Sequence, residues 1–329
     1  MVQLKKSAFD TAEIGSKYAV PEDASRLFVL QQSEANCGPD SILAALKRDQ
    51  VVLIKNASPL NADNLIASVA ESLGLRHSLN AQAAFADIQG HRKNVGKHFM
   101  SVNLRTDYQF IPPHSEGRHN IDMQLASLYG YENSTDGGFS VLLNVNSNSP
   151  MWEVLRCHTT KVDLCGRKLS ASEIAGTRAM YQIYLPEDLL NENDHVLSEQ
   201  ESPVPGVKLF NVLTKPQKSY SRILERHIHV FWDNVANADF DSGKEYLQLL
   251  RDCSLLKEPV GGLPIEQLDN AHDRHVWNSG VRYASLFISK ITHKLTAGDL
   301  LIQNNLSWTH SSSNWTPGSG NRKVVAAFA

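Results

Sequence analysis

Apolar positions near the start of the chain recur with the spacing of helices. Residues 61–73 carry large apolar side chains three and four positions apart, and Gly74 follows at the position of a C-terminal cap. A shorter helix is predicted over residues 42–47, where Asp40 or Ser41 can cap its first turn. The first of these helices has one apolar face, so we expect it to pack against a sheet.

Short apolar runs separated by turn residues predict strands over most of the remaining chain. These runs lie at residues 27–30, 51–54, 99–104, 121–131, 137–146, 281–288, 300–305 and 322–328. The pattern fades over residues 80–96, which are predicted as loop, and residues 191–205 are acidic and predicted as an exposed loop or lid. Residues 170–184 are predicted to begin as a helix capped by Ser170 or Ser172.

Two side chains that can bind a metal ion follow a pair of prolines. Pro112 and Pro113 hold the chain extended, and His114 and Glu116 come next. Residues two positions apart on a strand point the same way, so one imidazole and one carboxylate can bind one ion. Such a pair arises often by chance in a chain with 13 His and 35 acidic residues, so its sequence context decides its meaning.

The context lies in two blocks. Residues 137–146 form a strand led by two glycines, and residues 297–305 form a Gly-Asp-Leu turn and a strand that lead to His310. A loop of Ser and Gly then leads to a strand that opens on Arg322. This order resembles the iron(II) and 2-oxoglutarate dependent oxygenases of the taurine dioxygenase and clavaminate synthase type. The resemblance covers roughly residues 45–146 and 295–328 and leaves the middle third unmatched.

The resemblance implies a role for five residues. His114, Glu116 and His310 would bind Fe(II), Arg322 would pair with the distal carboxylate of 2-oxoglutarate, and Ser140 would touch the same carboxylate. Two imidazoles and a carboxylate on one face of an octahedral ion leave open positions for the oxo acid and for O2. The guanidinium is a planar fork of donors that suits a carboxylate. Related halogenating enzymes have a small residue at the carboxylate position, so Glu116 disfavours halogenation.

Other charged side chains near this motif have plainer interpretations. Arg118 and His119 directly follow the ligand pair, where they are candidates for touching substrate or belong to a solvated turn. The residues from His119 to Asp122 offer a rival ligand set, but their spacing fits one strand face poorly. The cluster of His91, Arg92 and Lys93 is interpreted as solvated charge.

Composition narrows the possible partners. The chain has 329 residues and a formal charge of -3, without a broad basic field, so nucleic acid is not an expected partner. No apolar run approaches the ~18 residues of a membrane span, and no secretory signal is recognised at the N-terminus. Four widely spaced cysteines do not form a disulfide framework, so a reducing, cytoplasmic location is expected.

We therefore predict one mainly β domain over residues 1–329, a double-stranded β-helix of the jelly-roll or cupin-like type with flanking helices. A long insertion at about residues 149–296 would form a lid and outer helices. The resemblance implies a dioxygenase that releases succinate and CO2 while it oxidises an unactivated C–H bond. Its substrate would be a small specialised metabolite or an amino-acid derivative, as in natural product biosynthesis.

The reaction outcome and the oligomeric state stay open at this stage. Hydroxylation, desaturation, cyclisation or inversion could each follow from the same chemistry. One alternative function is a metal-dependent cupin-type dioxygenase without 2-oxoglutarate, which would bind metal but release no succinate. Another is a non-catalytic binding protein on the same fold, which would show no Fe(II)-dependent turnover.

Overall fold

The structure is a computed structural model. It describes residues 28–31, 38–88, 92–102, 111–116, 123–146, 148–150, 157–181, 183, 185–186, 188–202, 204, 206–214, 250–257 and 287–329. The described residues contain no helix that is long and apolar enough to cross a membrane.

The larger sheet contains six strands. In spatial order they are β1 (Phe28–Gln31), β2 (Val51–Lys55), β11 (Leu300–Asn304), β5 (Leu125–Asn133), β13 (Arg322–Phe328) and β3 (Met100–Ser101). The first pair is parallel and every other pair is antiparallel. The C-terminal strand therefore lies inside this sheet, between β5 and β3.

The smaller sheet contains four antiparallel strands. In spatial order they are β10 (Phe287–His293), β6 (Ser140–Val145), β12 (Trp308–Ser312) and β4 (Ile111–His114). Leu142 and Trp308 from this sheet pack in one buried cluster with Leu301, Ala326 and Phe328 from the larger sheet. The two sheets thus face each other across an apolar core, which confirms the predicted double-stranded β-helix with flanking helices.

Helices cover the outer face of the larger sheet. They are α1 (Pro39–Asp49), α2 (Pro59–Ser72) and α3 (Arg76–Ile88). Ile66 and Val69 of α2 are fully buried in a second apolar cluster with Val52, Ile302 and Val325 of the sheet. The alternate residues of these strands face the helices, and the intervening ones face the core between the sheets.

The starts of α1 and α2 follow from local chemistry. Pro39 opens α1, where its missing N–H costs nothing, and Gly38 stands before it as the cap. Ser58 caps α2, and its side chain accepts a hydrogen bond from the Asn61 N–H at 3.2 Å. Both predicted helices are confirmed, each with a first turn that begins earlier than the apolar pattern suggested. The cap predicted at Asp40 or Ser41 was wrong, because both residues lie inside the first turn of α1.

The prediction of a loop from residue 80 was wrong, because α3 extends to Ile88. This helix buries Leu79 and Ala83, one turn apart, against the outer core. Alanine has the highest helix propensity but carries little apolar surface, so its periodic signal is weak.

The range predicted as an insertion, residues 149–296, contains a third antiparallel sheet. Its strands lie in the spatial order β7 (Cys157–Asp163), β9 (Lys208–Thr214) and β8 (His195–Gln200). Helix α4 (Ala171–Tyr181) begins with reciprocal bonds between Ser170 and Glu173, as the sequence predicted for Ser170. The prediction of loop for residues 191–205 was wrong at β8, an exposed edge strand with no apolar alternation to reveal it.

Candidate metal centre

Two histidines face each other across neighbouring strands of the smaller sheet. His114 ends β4 and His310 lies in the middle of β12, and the two residues are direct partners in the antiparallel register. Directly paired residues project to the same face of a sheet, so both imidazoles point into the core between the sheets. Their ring centroids are 4.5 Å apart. The fold thus joins two side chains separated by 196 positions in the chain (310 − 114).

Glu116 completes a group of three metal-binding side chains. Its Oε1 lies 3.7 Å from His114 Nε2 and 4.0 Å from His310 Nε2, and all three donor atoms lie within 4.8 Å of one another. These two distances are too long for hydrogen bonds. Two donors that each bind one ion at about 2.1 Å lie about 3 Å apart when adjacent and about 4.2 Å apart when opposite. The three donor atoms are thus gathered closely enough that small side-chain movements would let two imidazoles and a carboxylate bind one ion.

Asn305 fixes the backbone of Glu116. Its side-chain amide donates to the Glu116 carbonyl at 2.8 Å, and its Oδ1 accepts from the Glu116 N–H at 3.2 Å. The same amide donates to the Met123 carbonyl at 2.7 Å. Asn305 follows β11 in the turn that leads to β12. One fully buried side chain thus ties the segment after His114 to the strand that carries His310.

Arg92 lies beside the carboxylate of Glu116. The Nη2 of Arg92 is 3.3 Å from Glu116 Oε1, the oxygen that also faces both imidazoles. Burial alone would raise the pKa of Glu116, but neighbouring His114 and Arg92 hold this pKa well below its usual range. Glu116 is therefore an ionised ligand at neutral pH.

Gln303 and Phe328 orient the ring of His310. Gln303 Nε2 lies 3.2 Å from His310 Nδ1 and 3.1 Å from the Trp308 carbonyl, and its buried side chain is 1% exposed. Phe328 stacks on the His310 ring at a centroid distance of 6.2 Å and an interplanar angle of 18°. The Nε2 of His310 therefore faces Glu116, while its Nδ1 contacts an amide.

Ser140 lies on the same face of the smaller sheet as the histidines. It pairs with Ser312, two positions after His310, and so lies about 7 Å further along the strands. The Ser140 side chain is 1% exposed, and its Oγ has no hydrogen-bond partner within the part of the chain that the structure describes. A buried hydroxyl in this situation is suited to bind a ligand atom.

Arg322 approaches the start of the Ser140 strand. Its Nε donates to the Gly138 carbonyl at 3.3 Å, and its guanidinium lies over the Trp315 ring at 5.8 Å. Gly138 has φ +68, and a Cβ there would lie 2.8 Å from Arg322 Cδ, so glycine permits this approach. Burial lowers the pKa of Arg322 to about 10, and the guanidinium stays charged at neutral pH. No carboxylate among the described residues forms an ion pair with it.

The structure brings together the predicted ligands and places Arg322 and Ser140 on the adjoining part of the same fold. Arg118 and His119 lie outside the described residues, so their proposed contact with substrate stays a prediction. Arg92 was interpreted as solvated charge, and this interpretation was wrong, because its guanidinium contacts Glu116. Gln303 was also missed, since a buried amide on an apolar strand forms no motif with His310.

No protein-family model and no curated protein matches this chain. Solved structures do match it over most of its length. A structure of AAD-2 in complex with Mn(II) and N-oxalylglycine is 12% identical, covers 92% of this chain and 94% of its own, and has a TM-score of 0.38.

Two further structures are similar at the same level. A putative alpha-ketoglutarate dependent 2,4-D dioxygenase from Burkholderia xenovorans is 12% identical over 92% of this chain and 94% of that one, with a TM-score of 0.35. PvcB, an Fe, alpha-ketoglutarate dependent oxygenase from an isonitrile synthetic pathway, is 9% identical over 91% and 84% of the two chains, with a TM-score of 0.37. The roles of individual residues rest on the geometry of this chain.

Proposed function

We propose that this protein is an iron(II) and 2-oxoglutarate dependent oxygenase. The single observation that carries the proposal is the convergence of His114, Glu116 and His310, with all three donor atoms turned to one point between the sheets. Nitrogen and carboxylate donors in this ratio suit non-heme Fe(II), and three protein ligands leave positions open for other molecules. When bound there, Fe(II) would supply the activation of O2 for oxidation of a C–H bond.

The residues around the centre have separate tasks in this proposal. The two imidazoles bind the ion through Nε2, and Glu116 binds it as a carboxylate whose low pKa keeps it ionised. Asn305 holds the Glu116 backbone in register with the His310 strand. Because these supports are buried and hydrogen-bonded, the ligand set is positioned before the ion binds.

The proposed cosubstrate site extends from His310 toward Arg322. A charged guanidinium without a carboxylate partner among the described residues supports a site for the distal carboxylate of 2-oxoglutarate. The buried Ser140 hydroxyl, two strand positions from the level of His310, supports a second contact to the same group. The proximal carboxylate and the oxo group would then face the metal centre.

The substrate in this proposal is a small specialised metabolite or an amino-acid derivative, as in natural product biosynthesis, and hydroxylation is the default outcome. We also propose a cytoplasmic location, which the free thiols of Cys165 and Cys253 support.

The test is anaerobic titration with Fe(II) and then 2-oxoglutarate, followed by a screen of small molecules for O2-dependent release of succinate. We expect the weak visible charge-transfer band of the ternary complex and then stimulated succinate release. Metal binding with oxidation but no succinate would favour a dioxygenase that lacks the oxo acid. Absence of metal binding would contradict the proposal. Arg322→Ala should mainly weaken 2-oxoglutarate binding, by about 10-fold or more.

A further inference from the structure

Arg92 is a cation beside the predicted metal ligands, and the described residues use only a small part of its hydrogen-bonding capacity. Of its five N–H donors, one meets Glu116 Oε1 at 3.3 Å and another meets Met100 Sδ at 3.6 Å, a weak acceptor. The contact with Glu116 uses one nitrogen and one oxygen, so it lacks the bidentate geometry of a strong Arg–carboxylate pair. A planar face of donors therefore remains for another acceptor.

The described neighbours of Arg92 leave part of its guanidinium exposed beside the predicted ligands. Its guanidinium lies over the Phe328 ring at 5.5 Å, and its side chain is 25% exposed. Phe328 and Met100 are both buried and carry no charge, so they hold the side chain without neutralising it. Among the described residues, Glu116 is its only acidic partner.

That single partner is also the one required by the metal ion. In the proposed function, Glu116 Oε1 faces a divalent cation, and the two carboxylates of 2-oxoglutarate are present together with Arg322. The charges of Glu116, the divalent cation, 2-oxoglutarate and Arg322 then sum to zero. Arg92 then remains as one uncompensated positive charge in a partly desolvated place, which favours an additional anion beside the centre.

We infer that Arg92 binds a carboxylate of the substrate, and that the substrate class is therefore small organic acids, amino acids included. This inference rests on the proposed function. The planar fork of a guanidinium matches a carboxylate with two parallel hydrogen bonds. Because Arg92 is in contact with a ligand of the metal, the carbon that is oxidised lies within a few bonds of this carboxylate. Arg92 thereby selects the substrate and sets which C–H bond faces the centre.

The competing role for Arg92 is to orient Glu116 as a ligand, and metal affinity separates the two roles. A cation beside the centre repels a divalent ion, so Arg92→Gln should bind Mn(II) as tightly as wild type or more tightly. If Arg92 positions Glu116, the same variant should lose about 10-fold or more in Mn(II) affinity. That loss would overturn the inference. Lys93→Gln removes the charge of the neighbouring exposed residue and serves as the matched control.

The second measurement uses paired compounds with the Fe(II)-loaded wild-type protein. A library of amino acids and other small carboxylic acids is compared with the corresponding primary amides for stimulated succinate release, together with sulfonates and phosphate monoesters. We expect stimulation by at least one acid and about 100-fold weaker stimulation by its amide, since a partly buried cation is then left unpaired. Arg92→Gln should raise KM for that acid by about 10-fold to 100-fold, and Arg92→Lys by less.

The outcomes distinguish this inference from the proposed function. Four results would overturn the inference while Fe(II) and 2-oxoglutarate still bind. They are equal stimulation by acid and amide, stimulation by neutral or cationic compounds alone, stimulation only by a sulfonate or a phosphate, and stimulation by no carboxylic acid. A protein that binds neither Fe(II) nor 2-oxoglutarate contradicts the proposed function itself. An unchanged KM in Arg92→Gln would also overturn the role of Arg92.

Discussion

A buried carboxylate and a half-buried one have similar neighbours in this protein but opposite geometry. Asp299 lies near His293 and Lys55, much as Glu116 lies near two histidines and Arg92. The carboxylate of Asp299 is saturated: its Oδ2 accepts from His293 Nε2, Thr296 N and Thr296 Oγ1, each at 3.0 Å, and its Oδ1 meets Lys55 Nζ at 2.5 Å.

The carboxylate of Glu116 is instead left open toward the imidazoles. Its Oε1 lies 3.7 Å and 4.0 Å from the two nitrogens that face it, beyond hydrogen-bond reach. The same types of side chain thus build a closed polar cluster in one place and a gap the size of an ion in the other. Composition does not distinguish structural from metal-binding clusters, but the lengths of their contacts do.

The largest expected effect comes from removing the open carboxylate. Glu116→Ala should lower Mn(II) affinity by about 1,000-fold, since each protein ligand contributes roughly 4 kcal/mol of metal binding. Its free energy of unfolding should fall by about 1–2 kcal/mol, because Arg92 is the one described side chain within hydrogen-bond distance of the Glu116 carboxylate. Calorimetric metal titration and urea unfolding measure the two quantities, with exposed Glu71→Ala as control. Wild-type metal affinity in Glu116→Ala would contradict a metal-binding role for Glu116.

The closed cluster should respond in the reverse way. Asp299→Asn should destabilise the fold by about 3 kcal/mol, because it removes the charge that pairs with Lys55 and His293 in a buried place. The ligands of the metal centre stay in position, so Mn(II) affinity should stay within a factor of about 3. Urea unfolding and metal titration on the same sample test both parts. A large loss of metal affinity with unchanged stability would contradict the structural role of Asp299.

The contribution of Asp299 to the free energy of unfolding should also depend on pH. Burial raises the pKa of Asp299, but hydrogen bonds from His293, Lys55 and Thr296 lower it to about 2, below its ordinary value of 3.8. A depressed folded-state pKa stabilises the fold above the unfolded pKa, and this stability is lost as pH falls through about 2. The wild-type advantage over Asp299→Asn should therefore shrink by about 2 kcal/mol as pH falls from 5 toward 2. A constant difference in unfolding free energy would contradict this assignment.

The smallest expected effect concerns Gln303, which lies beside the predicted ligand His310. Gln303→Leu keeps the volume near the His310 ring but removes the amide that contacts Nδ1, so the ring loses part of its orientation. We expect Mn(II) affinity to fall by about 10-fold. Gln303→Glu places a carboxylate oxygen there instead. That oxygen would accept from Nδ1–H and leave Nε2 free for the ion, so this variant should retain more of the affinity. Equal affinities in Gln303→Leu and wild type would show that Phe328 alone orients the ring.

The sequence was most informative where side chains act through local spacing. His114 and Glu116 were recognised from their two-residue spacing together with the resemblance, although Glu116 lies just beyond the end of β4 and not on the strand as expected. The framework of β5, β6, β11 and β13 followed from apolar runs and glycines. Arg92 could not be recognised in this way, because its contact with Glu116 spans 24 positions and depends on the path of a loop. Helix α3 and strand β8 were missed for a related reason, since alanine and exposed polar residues give no apolar period.

The register of the two histidines has a consequence for the order of folding events. His114 and His310 meet only when β4 pairs with β12 across a long stretch of chain. The entropy cost of closing that loop must be overcome before the two imidazoles can share an ion. An ion bound by both side chains would therefore hold the smaller sheet together against local opening.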